Sequence, residues 1–547
     1  MFIKKYPLSN YLDFFTFIIL LITGFLTYKD YGIGIDDKFH RLNGFYWLNY
    51  LLSFTNFEDL KKIVEIKLLS FSDFTLPSIE YYNSYSIIFD VPAALLEIFF
   101  NKNTPKDFYE FKHLLNFLFF YIGCYFFYLI LNKRFNRFIS LAGTILFILS
   151  PRIYGESFYN MKDIIYLTFM SAAYYFCLKS FLSMNFRNMF FLALFSGLCI
   201  QLRIFGLLIP LSFISFYLLS ILARSKDIKE VNKIIFFVVL TISLTYVLWP
   251  YLWENPLISF LKIFQNIIPN VYILFNGSYI NNEYLPYSYL PLWIFITTPV
   301  MHLILFFLGT YFILKRFFKR LINIEEKSIT YDLWKGKKEK FDSFLLLNFI
   351  LLFGLVILLN LKLINAWKHL YFFNFFIVYF GVFYINIIYI KYFKSKNFKY
   401  LIIFFSIMLI FISYRMIYYH PYQGLYFNFL VSDKFKNKFD RDFTALSARN
   451  FFDKILLIEK DTKLIKIANA SWTPLHRTLE IYRKDEREKI KLVNQNYKDA
   501  NYIYTNHISE VDKTVNDKYN IPTNFRKFYD FTVDGIVIYS VYKRGKN

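Results

Sequence analysis

Asp36-Asp37-Lys38-Phe39-His40-Arg41 follows closely on the first long apolar run of this chain. Ser150-Pro-Arg152-Ile-Tyr-Gly-Glu156-Ser-Phe-Tyr-Asn160-Met-Lys162-Asp163 fills a turn between two later runs. Hydrocarbon cannot host proton chemistry, whereas a polar loop against its surface can, so ionisable groups in such places are candidates for function before structure. Asp36, Asp37, Glu156 and Asp163 are the four carboxylates so placed. Each has an ordinary alternative. Asp36 is suited to capping a helix that begins at Asp37, and Lys162 beside Asp163 reads as a solvated ion pair worth little at a surface. Asp37 with His40 could touch a metal, but no further ligands stand at metal spacing. No cofactor is expected, and a divalent metal stays an open alternative.

Cations accompany the carboxylates. Arg203 lies in Ile200-Gln-Leu-Arg-Ile-Phe-Gly206 between apolar runs. An arginine at membrane depth needs an anionic partner or must snorkel to the surface. Lys368 and His369 follow Trp367 in another short loop on the same side, where an aromatic-basic interface anchor is the alternative. Arg152 and Lys162 flank the acidic turn itself. Trp249-Pro-Tyr-Leu-Trp253 and Tyr284-Leu-Pro-Tyr-Ser-Tyr-Leu-Pro-Leu-Trp293 could stack on sugar faces, but such residues more often form an interfacial belt, which is the expectation here.

The elements that must hold these residues are apolar helices. The chain has 547 residues, 56% of them hydrophobic, with repeated runs long enough to span a bilayer. The excess of Phe and Tyr runs with Ile, Lys and Asn, as an AT-rich coding sequence would give, and supports no conclusion alone. Spans are expected at 11–28, 111–131, 138–150, 164–181, 188–202, 204–222, 234–250, 290–314, 343–361, 370–390 and 400–418. The 138–150 run is short and is expected to extend at one end. The fold class is therefore a polytopic α-helical membrane protein of about 11 transmembrane helices.

A net charge of +23 would suggest nucleic acid, but its position does not. With the N-terminus inside, segments 1–10, 132–137, 182–187, 223–233, 315–342 and 391–399 hold 23 Lys and Arg, whereas the short outer loops hold only Arg152, Lys162, Arg203, Lys262, Lys362 and Lys368. This asymmetry orients the chain with a cytoplasmic N-terminus, and the partners are membrane lipids, with no nucleic acid. Counting 86–100 as a span would invert that pattern, so it is read instead as a second interfacial helix beside one starting near Asp37, both within the outer loop 29–110. The first run lacks a cleavage motif and is read as an uncleaved helix. Cys124, Cys177 and Cys199 fall in apolar runs and give no disulfide framework. Asn276-Gly-Ser and Asn469-Ala-Ser match a glycosylation sequon weakly.

From His420 the composition turns polar. Helix-like stretches near 444–459 and 474–485, strand-like runs at 464–469, 489–494, 501–505 and 535–543, and a Val533-Asp-Gly-Ile hairpin turn predict a small extracytoplasmic α/β domain over 420–547, after a transmembrane domain over 1–419.

On these motifs the chain resembles the GT-C superfamily of polytopic glycosyltransferases, in particular bacterial proteins similar to protein O-mannosyltransferases and the lipid A aminoarabinose transferase. The resemblance rests on Asp36-Asp37 after the first helix, the acidic second outer loop, and many helices before an outer domain. Ser150-Pro-Arg, Asn160-Met-Lys-Asp163, Trp249-Pro-Tyr-Leu-Trp253, Thr297-Thr-Pro299, Trp367-Lys-His-Leu-Tyr371 and His420-Pro-Tyr-Gln-Gly-Leu-Tyr-Phe-Asn428 are similar to a bacterial subgroup described only as glycosyltransferases. The resemblance implies a polyprenyl-phosphate sugar donor, a glycan, lipid or protein acceptor on the outer side of the bacterial inner membrane, and inversion at the sugar carbon. It implies Asp36 as general base, with Asp37 beside it and Glu156 or Asp163 as the second acidic residue. Arg203, Lys368 and His369, with Arg152 and Lys162, would then face the donor phosphate. Asp-Asp stands where many relatives have Asp-Glu, a departure that touches Asp37 more than Asp36. Two other classes compete. A transporter or flippase would be expected to show repeated halves and broken helices at matching positions, which the sequence lacks. A non-catalytic assembly protein would bind surface polymers through 420–547.

Overall fold

A computed structural model describes residues 11–71, 85–222, 230–264, 269–322 and 334–545. Segment 1–10, most of 223–233 and part of 315–342, three of the basic segments above, lie outside the described residues, as does 72–84 of the outer loop. Among the described residues, seven helices are long and apolar enough to cross a membrane: Pro105–Arg134, Asp163–Leu182, Ile204–Ile221, Val300–Ile322, Lys337–Leu358, Phe373–Tyr392 and Phe398–Tyr418. Four shorter apolar helices, Leu12–Thr27, Arg137–Ile148, Phe186–Leu202 and Val231–Val247, fall on the remaining expected spans. The chain is a multi-pass α-helical membrane protein.

Local chemistry sets the helix starts. Thr104 accepts a hydrogen bond from the Asp107 N–H at 3.2 Å, with Pro105 in the first turn. Asn136 and Asn185 accept from the N–H groups of Ile139 and Asn188 at 3.0 and 2.9 Å. The Asn136 cap also fixes the Arg137–Ile148 helix, which does not extend beyond twelve residues. The expected 290–314 span is broken: Tyr289–Thr297 ends at an extended Thr298, forced by Pro299, and Val300–Ile322 starts anew.

Two sets of loops gather at opposite ends of the bundle. At one end Asp342 takes hydrogen bonds from Arg134 Nη2 at 2.6 Å, Arg316 Nη2 at 2.9 Å and the Tyr379 hydroxyl at 2.7 Å, while Arg137 pairs with Asp13 at 2.6 Å. The other end carries the acidic loops. There the helix expected near Asp37 runs over Asp37–Leu52 and packs on Asp90–Phe99, ten residues and too short to span. Arg41 joins the two through a bidentate pair with Glu97, 2.7 and 2.9 Å, and stacks on Phe108.

At the same end lies the β structure. β1 (Tyr272–Phe275) and β2 (Ser278–Asn281) form a hairpin turning at Asn276-Gly277, both at positive φ. β3 (Ile465–Asn469), β4 (Ile490–Leu492), β5 (Tyr502–Thr505), β6 (Phe525–Val533) and β7 (Ile536–Arg544) form a mixed sheet in the order β4-β3-β5-β7-β6. β3 is parallel to β4 and β5, and β7 is antiparallel to β5 and β6. The predicted Val533-Asp-Gly-Ile turn closes β6 on β7, with Gly535 at φ 74°. Helices Ser447–Ile458 and Leu475–Leu479 complete this unit. Residues 423–442 run back along the helices: Asn428 Nδ2 donates to the carbonyls of Phe295 and Thr298, the Asp440 N–H donates to the Leu274 carbonyl, and Asp440 Oδ1 accepts from the Leu274 N–H.

Candidate active site

Residues 32–36 carry no regular structure of their own, so their hydrogen bonds decide where Asp36 points. The Asp37–Leu52 helix begins where the spacing predicted, but Asp36 makes no side-chain cap. Asp37 does the local work: its Oδ2 accepts from the Gly34 N–H at 2.7 Å and lies 3.5 Å from His113 Nε2, both side chains fully enclosed. Asp36 is thereby released outward. Its Oδ2 accepts from Lys368 Nζ at 2.6 Å, and its side chain keeps 47% of its accessible area. Burial alone would raise the Asp36 pKa; the Lys368 ammonium, then His40 and Arg477, outweigh it and hold the carboxyl well below the usual range. His40, paired with Asp37 by spacing alone, instead turns Nδ1 to Asp90 Oδ2 at 3.0 Å. Among the described residues no three His, Cys, Asp or Glu converge as metal ligands.

The second acidic turn is organised by Asn160. Its Oδ1 accepts from the Asp163 N–H at 3.0 Å, closing the turn into the Asp163–Leu182 helix, the most enclosed of the spans. Its Nδ2 then donates to Glu156 Oε2 at 3.1 Å and to Asp163 Oδ2 at 3.2 Å, so both carboxylates face one amide. Asp163 stands at the helix N-terminus, where the backbone dipole favours an anion. Its Oδ1 takes Arg203 Nε at 2.8 Å, and Arg203 Nη2 binds the same oxygen. The lone arginine therefore has its anionic partner. The alternative of a Lys162–Asp163 pair does not form: the helix start directs Asp163 toward Arg203, while Lys162 Nζ lies 4.0 Å over the Tyr85 ring. Glu156 also accepts from the Tyr371 hydroxyl at 3.3 Å. Burial raises its carboxyl to about 7, against the pull of Lys368 and the Asn160 hydrogen bond.

No family model matches this chain, and no curated protein does. Among solved structures, it is similar to ArnT from Cupriavidus metallidurans bound to undecaprenyl phosphate, at 10% identity and a TM-score of 0.40 over 98% of each chain.

The remaining cations divide into those that keep a free charge for a ligand and those that do not. Lys368 is raised above the ordinary lysine range: burial opposes this, but Asp36, with Glu156 and Asp163 beyond it, prevails. Burial and then Arg203 lower Lys162 to about 7, and the same two causes hold His369 at about 3, so His369 is neutral at physiological pH and brings no charge. Its Nδ1 is buried without a hydrogen-bond partner among the described residues. Arg152 is buried between Trp293 and Phe427 and donates Nε to the Tyr426 carbonyl at 3.0 Å, which ties it to the 423–426 turn. Trp249 and Trp293 are core residues rather than members of an interfacial belt, and Trp367 donates to Thr297 Oγ1 at 2.9 Å. Tyr284 and Tyr287 do remain exposed.

Several participants have no signal of their own in the sequence. Arg477, from the sheet unit, donates to the Ile35 carbonyl one residue before Asp36. Tyr85 supplies the ring under Lys162, and Tyr371, within a quoted motif, supplies the hydroxyl on Glu156. Chemically the arrangement is an ionised, partly accessible carboxylate beside a protonated lysine. A neutralisable carboxylic acid and an arginine-neutralised carboxylate stand behind them.

Proposed function

We propose that this protein is an inverting glycosyltransferase that moves a sugar from a polyprenyl-phosphate donor to a glycan, lipid or protein hydroxyl on the extracytoplasmic face of a bacterial inner membrane, with its N-terminus cytoplasmic. The helical part, 1–419, would carry the chemistry and 420–547 would stand outside.

The observation that carries this reading is the Asp36–Lys368 contact at 2.6 Å. Transfer from a phosphate needs a base for the incoming hydroxyl and a cation for the departing phosphate, close together. The acceptor oxygen attacks C1, its proton passes to the Asp36 carboxylate, and the bond from C1 to the phosphate oxygen breaks. The electron pair leaves with the lipid phosphate, whose second negative charge Lys368 meets. A donor phosphate that draws Lys368 toward itself also weakens the hold on Asp36 and so raises its basicity as the complex forms. Arg203, its charge shared with Asp163, and Lys162 in its protonated form would add positive potential. Glu156, neutral below about 7, can donate to or accept from an acceptor hydroxyl. Asp37 sets the loop, and Arg152 supports the turn behind it.

The test is incubation of lipid-embedded protein with a panel of undecaprenyl-phosphate-linked hexoses and pentoses, following release of the lipid phosphate. Release by wild type and its loss in Asp36→Asn, with unchanged folding, is expected. Full activity in Asp36→Asn would remove Asp36 as base. Accumulation of substrate in sealed vesicles without any bond breaking would replace the reading with transport.

A further inference from the structure

The loop that presents Asp36 is held mostly by the C-terminal unit. The Ile35 N–H donates to the Thr444 carbonyl at 3.1 Å, and the Ile35 carbonyl accepts from Arg477 Nη1. Both polar groups of the residue before Asp36 thus end on residues more than 400 positions away in the chain. The grip extends along the loop. Arg449 Nη1 donates to the Tyr31 carbonyl at 3.0 Å, and Lys38 pairs with Glu480 at 2.7 Å. Gly32 has no room for a side chain, since a Cβ there would lie 2.2 Å from the Leu446 carbonyl oxygen. Within the loop itself Gly34 and Asp37 are joined twice, the Gly34 N–H donating to Asp37 Oδ2 at 2.7 Å and the Asp37 N–H to the Gly34 carbonyl at 3.1 Å.

The Arg477 contact differs from the others in kind. The carbonyl it binds belongs to the peptide that joins Ile35 to Asp36, so it fixes the plane from which the Asp36 side chain departs. It also brings a fixed positive charge that acts on Asp36 together with Lys368 and His40. We infer that Arg477 is a positioning residue of the transfer site, aiming Asp36 through the Ile35 carbonyl, and that the C-terminal unit is therefore part of the catalytic apparatus rather than an attached module. This rests on the proposed role of Asp36 as base.

A misplaced base is costly: displacements near 1 Å reduce rates by about 10²-fold. In the full-length protein in lipid, with the undecaprenyl-phosphate sugar panel, Arg477→Met is expected to lower kcat by about that factor and to leave donor KM within threefold. The cations facing Asp36 are Lys368 and Arg477, with the His40 ring beside them and Lys162, lowered to about 7, beyond. Loss of one of these cations makes the carboxylate easier to protonate, so the acid limb of the pH profile moves to higher pH. Arg477→Lys keeps charge and a donor and is expected to restore the limb and most of the rate. Arg477→Gln keeps a donor without the charge, retains shape, and serves if the Met variant does not assemble; it is expected to recover rate but not the limb. Wild-type kcat and pH limb in Arg477→Met or Arg477→Gln, while Asp36→Asn is inactive, would overturn this proposal and leave the base intact. Full activity in Asp36→Asn would instead overturn the reading beneath it.

Discussion

Lys368 Nζ reaches Asp36 Oδ2 at 2.6 Å, from a three-residue 3-10 turn to an unstructured loop 332 positions earlier in the chain. Such a contact cannot be maintained by local propensity. It exists because the loops at one end of the bundle are pinned separately, Asp36 by the Gly34–Asp37 bond and Arg477, and Lys368 by the Trp367–Thr297 bond beside it.

Lys368→Met tests whether that contact carries function. Two losses are expected: the cation near the departing phosphate, about 10²- to 10³-fold in kcat by analogy with single electrostatic stabilisers, and the depression of the Asp36 pKa. The sign of the second is fixed. A carboxylate held low loses its charge only when pH falls through its lowered value, so removing Lys368 raises that value and moves the acid limb toward neutrality. A pH–rate profile of the variant checks it; an unmoved acid limb would contradict the pairing.

Glu156 predicts a pH dependence of stability with the opposite sign. Its carboxyl titrates near 7 when folded, against an ordinary value of about 4.3. Between those values the folded protein holds more protons than the unfolded chain, so stability falls as pH rises, by up to about 1.4 kcal/mol per pH unit. Glu156→Gln removes the titration. The drop in thermal midpoint between pH 5 and pH 8 is therefore expected to be smaller in the variant than in wild type. Equal drops would show that Glu156 does not titrate in that window.

Arg203 and Asp163 form a pair that is mostly enclosed, with 18% and 3% of their side chains accessible. Breaking such a pair from one side leaves an uncompensated charge and costs about 3–5 kcal/mol. Asp163→Asn and Arg203→Met are each expected to lower the thermal midpoint sharply. The double variant is expected to recover much of it, because neither charge is then stranded. Activity is expected to stay low in the double variant, since Arg203 potential is lost from the site. Recovery of both properties would mean that the pair is structural alone.

The helices were legible because long apolar runs have few alternatives, and the Thr298-Pro299 break was written in the sequence too, within an apolar stretch that outweighed it. Three of the strand-like runs near the end fell within a residue or two of β3, β4 and β5, and the fourth on β7. Strand β6 did not stand out, since Arg526, Lys527 and Asp530 interrupt its apolar positions at the edge of the sheet. Asn276-Gly277, part of a sequon in the sequence, is also a strong hairpin signal, and it turns β1 into β2. Asn469, the other sequon residue, spends its side chain on Thr473 and Ser471. Site residues were harder. Two adjacent aspartates are equally suited to order a helix start, and only the fold assigns that work to Asp37. Lys162 and Asp163 are neighbours in sequence but diverge in direction. Arg477 had no local signal at all, because its meaning lies in a carbonyl 442 positions away.

Asp534 offers a way to loosen the C-terminal unit without touching the site. It sits in the β6–β7 turn, where its carboxylate takes Arg415 Nη2 at 2.6 Å, Lys436 Nζ at 2.7 Å and the Tyr419 hydroxyl, joining the sheet to the end of the Phe398–Tyr418 helix. Burial opposes ionisation, but the Arg415, Lys436 and Tyr419 hydrogen bonds lower the carboxyl to about 2. Its contribution to stability is thus present above the ordinary aspartate value near 3.9 and is lost as pH falls toward about 2. Asp534→Asn tolerates the positive φ of 52° at this position and removes only the charge. It leaves Arg415 and Lys436 without their shared anion, at a cost of about 1–3 kcal/mol. Limited proteolysis is expected to cut within 420–446 faster than in wild type. If the sheet unit aims Asp36, kcat must fall in the same variant while donor KM holds. Faster cleavage with unchanged kcat would separate docking of the unit from catalysis.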